Sequence, residues 1–170
     1  ALGIQDAKGY NRFVSSQPQY SALWRVIESE VVPLSQKEGI GQIVWSPMAQ
    51  GILTGKYLPG KKPPAGSRAT DKKSGADMIS RWMRDEVLTA VQNLAPIAKS
   101  VDLTMGQLAI AWVLQNPNVS SAIMGATKPA QVKENVKAAG VKLPKEVMVA
   151  IDKALGAIPT TDPTLTKSPK

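Results

Sequence analysis

Histidine and cysteine are both absent from the 170 residues. Without histidine there is no Ser–His or Cys–His nucleophile pair and no imidazole general base. Without either residue there is no ordinary zinc or iron–sulfur site, and any metal would need oxygen ligands. No metal site is expected. No disulfide can staple the fold. None is needed, because a chain of this length buries about two-thirds of its unfolded surface. No apolar run reaches the ~20 residues of a membrane span. Residues Ala1 to Asp6 lack a basic segment and a long apolar core, so no signal peptide is expected. The expectation is a cytoplasmic protein, compatible with the missing cysteine, with no membrane association.

What is present is basic charge. Lys+Arg number 21 against 13 Asp+Glu, a formal net charge of +8. Such a balance points to an anionic partner, or simply to a solvated basic surface. Along the chain, short β-rich runs alternate with helical patterns. The β runs are 12–17, 42–46 and 119–124. The second, Gln42-Ile43-Val44-Trp45-Ser46, is apolar and β-branched, as in a strand buried on both faces of a parallel sheet. Helical patterns cover 26–37, with Val31 and Leu34 on one face, and 84–99, with Val87, Val91, Leu94 and Ala98 on one stripe. Pro96 should break or kink the latter. Thr104 and Gln107 read as a capping box in front of the helix that carries Leu108, Ala109, Trp112 and Val113. A further helix has Pro129 in its first turn, with Val132, Val136 and Ala139 as its expected buried face. The last starts at Pro144 and shows Val147, Ile151 and Leu155. The tail, 159–170, is expected to be extended. This order implies parallel βαβ units in one α/β domain. Three strands are few for a covered parallel sheet.

Several motifs bear on ligands. Gly51-Ile52-Leu53-Thr54-Gly55-Lys56-Tyr57 has three residues between its glycines where a P-loop has four, and Tyr57 replaces the magnesium-binding hydroxyl. A nucleoside triphosphatase is excluded on that ground. No Gly-x-Gly-x-x-Gly follows a strand, which excludes a Rossmann fingerprint. The turn Gly125-Ala126-Thr127-Lys128-Pro129 leads from a strand into a helix N-terminus, which is either an anion site or an ordinary capped turn. Trp45 ends the second strand, where it could stack on a flat ring or belong to the core. The stretch 51–77 is long, irregular and basic. It is either a solvated loop or a clamp that closes over a phosphorylated ligand. Tyr57 is its only aromatic, so the stacking platform of a single-strand nucleic-acid binder is missing, and no nucleic-acid partner is expected. Gln131, Glu134 and Asn135 lie on the helix after the anion turn, on a solvated face or within reach of a ligand's polar edge. Asp85-Glu86 and the Glu28/Glu30 pair read as surface.

Three segments together resemble the aldo-keto reductase family. They are Ser16-Gln17-Pro18-Gln19-Tyr20-Ser21, then Val44-Trp45-Ser46-Pro47-Met48-Ala49-Gln50-Gly51-Ile52-Leu53-Thr54-Gly55-Lys56-Tyr57, then Met124-Gly125-Ala126-Thr127-Lys128-Pro129-Ala130-Gln131-Val132-Lys133-Glu134-Asn135. The branch most similar includes bacterial and plant reductases and the potassium-channel β subunits. The resemblance implies a (β/α)8 TIM barrel that uses NADP(H) without a Rossmann fold. The three strands would be the sixth, seventh and eighth, and the helices at 84–99 and after Pro144 the family's two extra helices. Residues 1–170 would then be the C-terminal half of one barrel domain, with a clamp loop at 51–77.

The resemblance also implies roles. Gln17 would bond the nicotinamide carboxamide, and Trp45 would stack on the nicotinamide ring. Ser46, Pro47, Met48, Ala49 and Gln50 would line the pyrophosphate path, largely through backbone groups. Lys56 and Arg68 would pair with phosphates as the loop closes. Gly125, Thr127 and Gln131 would hold the 2′-phosphate end, and Glu134 and Asn135 the adenine amino edge. The implied reaction is 4-pro-R hydride transfer between NADPH and a small aldehyde or ketone. The family's catalytic Asp, Tyr, Lys and His lie on its first four strands, before anything present here. Tyr10, Tyr20 and Tyr57 are not in the catalytic motif. No catalytic residue is therefore expected in this chain, which alone should be inactive. A complete barrel takes about 250 residues, so the expected partners are NADPH, a carbonyl substrate and the N-terminal half of the barrel. A cofactor-sensing regulatory subunit, resembling the potassium-channel β subunits, is the alternative.

Overall fold

A computed structural model describes residues 2–73 and 75–166. Its centre is a parallel sheet in the order β1 (Ser15–Ser16), β2 (Gly41–Trp45) and β3 (Val119–Ile123). The α/β alternation read from the sequence is therefore present. Eight helices accompany the sheet among the described residues. α1 (Leu2–Lys8) precedes it, and α2 (Val31–Glu38) connects β1 to β2. α3 (Gly75–Ile79), α4 (Asp85–Gln92), α5 (Ala95–Ser100) and α6 (Met105–Leu114) lie between β2 and β3. α7 (Pro129–Val136) and α8 (Lys145–Leu155) follow. No single helix among the described residues is long and apolar enough to cross a membrane.

The core lies on the helix-covered side of the sheet. Val44 is fully buried there with Leu23, Ile52, Leu53, Val87 and Val113. Some expected elements are in place. Pro96 separates the 84–99 pattern into α4 and α5, and its missing N–H is harmless in the first turn of α5. Val87, Val91, Leu94 and Ala98 are all buried. The capping box forms as expected: Gln107 N donates to Thr104 Oγ1 at 3.2 Å, and Thr104 N donates to Gln107 Oε1 at 2.9 Å. Val147, Ile151 and Leu155 of α8 are buried, and α8 packs on α4 and α5.

Other expectations are corrected. The first β run shrinks to Ser15–Ser16, because Pro18 has no N–H to continue a ladder. The 26–37 helix begins only at Val31, and Val32 and Ser35 are its buried residues. Leu34 faces solvent. α1 carried no clear periodic signal and was not expected. β2 is buried on one face only: Gln42 and Val44 face the core, while Trp45 is 38% exposed. The expected apolar face of α7 is not a buried face at all. Val132 and Val136 are 57% and 61% exposed, and no residue of α7 is buried. Ala138, just beyond it, is buried instead of Ala139. Helix periodicity says which residues share a side, and here no layer covers that side. The tail is not simply extended. Thr160 pairs with the segment around Trp24, its N–H bonding Leu23 O at 3.0 Å, and residues 163–166 form a short 3₁₀ turn. The expectation for 167–170 lies outside the described residues.

Candidate functional site

Parallel strands end together, so ligand groups gather beyond their C-terminal ends. Here β2 ends at Trp45 and β3 at Ile123, and these two residues are register partners. The segment after β1 joins them. Gln19 pairs with Trp45, Trp45 N donates to Pro18 O at 3.1 Å, and Tyr20 N donates to Trp45 O at 3.2 Å. Gln17, exposed, thus stands next to this pairing. The geometry brings Gln17, Trp45 and the turn at 124–128 to one end of the sheet. In this chain Trp45 is 38% exposed at the strand end.

Directly after Trp45 the backbone becomes unusual. Ser46, Ala49 and Gln50 all have positive φ (57°, 47° and 58°), and Gly51 follows at 101°. Only one other described non-glycine residue, Asp102, does so. Left-handed backbone costs an L-residue roughly 1–2 kcal/mol. Three such residues within five positions mark a segment held in shape by its surroundings, a common property of ligand cradles. Burial supplies the restraint: Ala49, Ile52 and Leu53 are wholly buried, and Pro47 is buried. Met48 reaches α6, its sulfur lying 3.5 Å from where a Cβ on Gly106 would sit. Lys56 folds back over this turn, with Nζ 3.1 Å from the position a Cβ on Gly51 would take and 5.2 Å from the Tyr57 ring centre.

The basic stretch 51–77 is more ordered than a solvated loop. Residues 49–54 and 68–70 are 3₁₀ turns. Gln92 Nε2 donates to Gly55 O and Tyr57 O, both at 3.0 Å. Tyr57 is buried, and its hydroxyl accepts from Ala69 N at 3.4 Å. Asp71 accepts from Lys73 N and Gly75 N. Arg68 forms no ion pair among the described residues; its Nη1 lies 3.4 Å from Met78 Sδ. Just before it, the buried Ser67 Oγ has no hydrogen-bond partner among the described residues. Ser67 was not singled out in the sequence, where nothing distinguishes it from other loop serines.

The third component is the turn into α7. A Cβ at Gly125 would meet no protein atom within 4 Å, so packing does not demand glycine there. Gln131 bends back over the helix entrance. Its Oε1 accepts from Thr127 N at 2.7 Å, Thr127 Oγ1 at 3.2 Å and Lys128 N at 3.3 Å. The turn is thus capped by the chain's own amide, and the donors an anion would use are those that Gln131 Oε1 gathers. Glu134 carries ion-pair contact with Lys137 at 2.7 Å and lies on the same helix as Asn135, which is half-buried.

Elsewhere, a separate polar cluster joins Tyr20, Arg25, Glu28 and Asp152 on the helix side. Tyr20 donates to Glu28 at 2.7 Å, and Arg25 bonds both Glu28 and Asp152. Burial, and then the Glu28 charge, push the Tyr20 phenol well above its ordinary value. Tyr20 is therefore a poor proton donor, Tyr57 is buried, and Tyr10 is exposed near α1. None of the three is placed for acid–base chemistry at the strand ends.

Residues 3–155 match the sequence profile of the Aldo/keto reductase family. A probable voltage-gated potassium channel subunit beta of Arabidopsis thaliana is 42% identical over 141 residues, covering 82% of this chain and 42% of that protein. One of Oryza sativa subsp. japonica is 40% identical over 156 residues, covering 91% and 46%. A putative voltage-gated potassium channel subunit beta of Schizosaccharomyces pombe is 43% identical over 150 residues, covering 86% and 43%. The chain spans less than half the length of these curated relatives.

Proposed function

The chain belongs to the aldo/keto reductase family, and from that premise we propose that it is the cofactor-binding half of a (β/α)8-barrel oxidoreductase using NADP(H). β1, β2 and β3 correspond to the sixth, seventh and eighth strands of the barrel. The observation that carries the reading is the cluster of left-handed residues Ser46, Ala49, Gln50 and Gly51, directly after a partly exposed Trp45 at a strand end. A turn held in shape by the burial of Pro47, Ala49, Ile52 and Leu53 suits the approach of a pyrophosphate, and a partly exposed indole suits a flat ring.

NADPH, when bound, supplies the hydride for an aldehyde or ketone. The residues of this chain bind and orient it. Gln17 and Trp45 hold the nicotinamide end. Ser46 to Gln50 carry the pyrophosphate, and Lys56 and Arg68 close on its charge. Gly125, Thr127 and Gln131 take the 2′-phosphate end, with Gln131 turning its oxygen out of the cradle it fills. Glu134 and Asn135 meet the adenine edge. The chain contributes no acid–base group, and the proton donor and the carbonyl pocket belong to the other half of the barrel.

The test is NADPH titration of the complete protein by calorimetry. Trp45→Ala combined with Arg68→Ala should weaken binding on the order of a hundredfold, from one lost ring contact and one lost phosphate pair. Unchanged affinity overturns the assignment. A second reading, a cofactor-sensing regulatory subunit, is favoured by the printed names of the three relatives. It predicts that the complete protein binds NADPH without appreciable aldehyde turnover.

A further inference from the structure

We propose that Gln107 is a positioning residue that tethers the adenine-binding helix α7 to the N-cap of α6; this rests on the cofactor reading of Glu134 and Asn135 above.

A capping-box glutamine normally uses one side-chain atom. Its oxygen accepts from the N-cap N–H, and its NH2 group points to water. Gln107 uses both ends. Oε1 accepts from Thr104 N at 2.9 Å, and Nε2 donates to Glu134 O at 2.9 Å, with Glu134 Oε2 a longer 3.4 Å away. The side chain is only 5% exposed. One amide thus closes the start of α6 and crosses to α7.

The backbone of α7 is shaped to receive it. The helix tightens at its end, with Lys137 N bonding Glu134 O at 3.3 Å and Ala138 N bonding Asn135 O at 3.1 Å. Ala138 N is therefore spent on Asn135 rather than on Glu134, as an α-turn would have it. The Glu134 carbonyl keeps capacity for the shorter bond from Gln107. The tether matters because α7 itself has no buried apolar side chain, its nearest buried residue being Ala138 just past its end. No residue of α7 is buried, and its two largest apolar side chains face outward. With apolar anchoring confined to Ala138, this polar bond is what ties the Glu134 turn itself to α6. The Glu134 carboxylate is meanwhile flanked by Gln107 Nε2 and Lys137 Nζ.

The chemistry makes a discriminating substitution available. Gln107→Glu keeps an oxygen acceptor for Thr104 N, and glutamate serves a capping box as well as glutamine does. It removes the Nε2 donor that bonds Glu134 and sets a carboxylate against the Glu134 carbonyl and carboxylate. Thr104→Ala is the converse: it weakens the cap and leaves the donor to α7 intact.

The experiment uses the complete protein, with NADPH and adenosine 2′,5′-bisphosphate as probes. Gln107→Glu is expected to weaken both ligands on the order of tenfold, the effect of unmaking one buried hydrogen bond. KM for NADPH rises while kcat and KM for the carbonyl substrate stay unchanged. In the protein without ligand, amide hydrogen exchange accelerates across 131–138 and not across 105–114. Gln107→Met, which removes both bonds, gives the same affinity loss if the glutamate variant folds poorly. Thr104→Ala lowers the melting temperature and leaves both affinities unchanged. The proposal is overturned if exchange in α7 is unaltered in Gln107→Glu, if exchange rises with no loss of affinity, or if Thr104→Ala loses as much affinity. Wild-type protein that binds neither probe overturns the cofactor reading and the positioning role with it. The exchange data would then still report whether the tether exists.

Discussion

Gln131 shows how much one side chain can hide. In the sequence it is an exposed helical glutamine; in the structure its Oε1 gathers the Thr127 and Lys128 amides and the Thr127 hydroxyl. A neutral amide can leave such a cradle when an anion arrives. A carboxylate there would stay, since a charge-assisted bond is roughly twice as strong as a neutral one. Gln131→Glu should therefore weaken NADPH about tenfold and NADH much less, read as the ratio of the two dissociation constants. Equal loss for both would mean that the turn does not see the 2′-phosphate. Trp45 was legible as a candidate from its place at a strand end, where the structure leaves it 38% exposed. The left-handed run at 46–50 was not legible. Serine, alanine and glutamine carry no preference for positive φ, so only the packing of Ala49, Ile52 and Leu53 imposes it.

At the scale of elements, local chemistry was the reliable guide. Thr104 and Gln107 announce the start of α6 because the cap is made by residues three apart. Pro96 divides α4 from α5 for an equally local reason. Periodicity was less secure, because it reports a face and not what covers it. The stripe on α8 is buried against α4 and α5, whereas the stripe on α7 is open. The two should respond differently to substitution. In this chain Val136→Lys is expected to change the unfolding free energy by less than about 0.5 kcal/mol. Ile151→Ala, by contrast, should cost about 2–5 kcal/mol. Urea denaturation of the two variants compares them directly. A large loss at Val136 would mean that α7 is anchored through its side chains after all. β1 fell short of the expected run because Pro18 cannot donate, so alternate pairing resumes only at Gln19.

For the whole molecule, the sequence motifs conveyed the family and the α/β order, and left open which surfaces are covered. The sheet ends at β1 on one side and β3 on the other, with no further strand beyond either among the described residues. Beside these edges Phe13, Val14 and Ile123 are exposed. An uncovered parallel sheet with unpaired edges invites intermolecular pairing. As an isolated polypeptide, residues 1–170 should self-associate, with sedimentation velocity showing concentration-dependent species beyond the monomer. Val14→Lys, which places charge beside the β1 edge, should reduce that association. A monodisperse monomer at all concentrations would contradict the argument. The +8 charge, read at first as a general sign of an anionic partner, is better described locally: Lys56 and Arg68 border an ordered turn, and Arg25 is already neutralised by Glu28 and Asp152.

The pairing of Thr160 with the segment around Trp24 has a temporal side. Arg25 N bonds Thr160 O at 2.8 Å, and Arg25 Nη1 bonds Asp152 across a separation of 127 residues. A ribosome adding 5–20 residues per second takes about 6–25 s to cover that interval. During those seconds Leu23, Val26 and Ile27 have been made and their late partners have not. The early part of the chain must wait, shielded or in a looser collapse, until α8 and its following strand segment emerge. Closure between these two segments is then a late step, and premature termination near position 150 would forfeit the contacts that Asp152 and Thr160 make with Leu23 and Arg25.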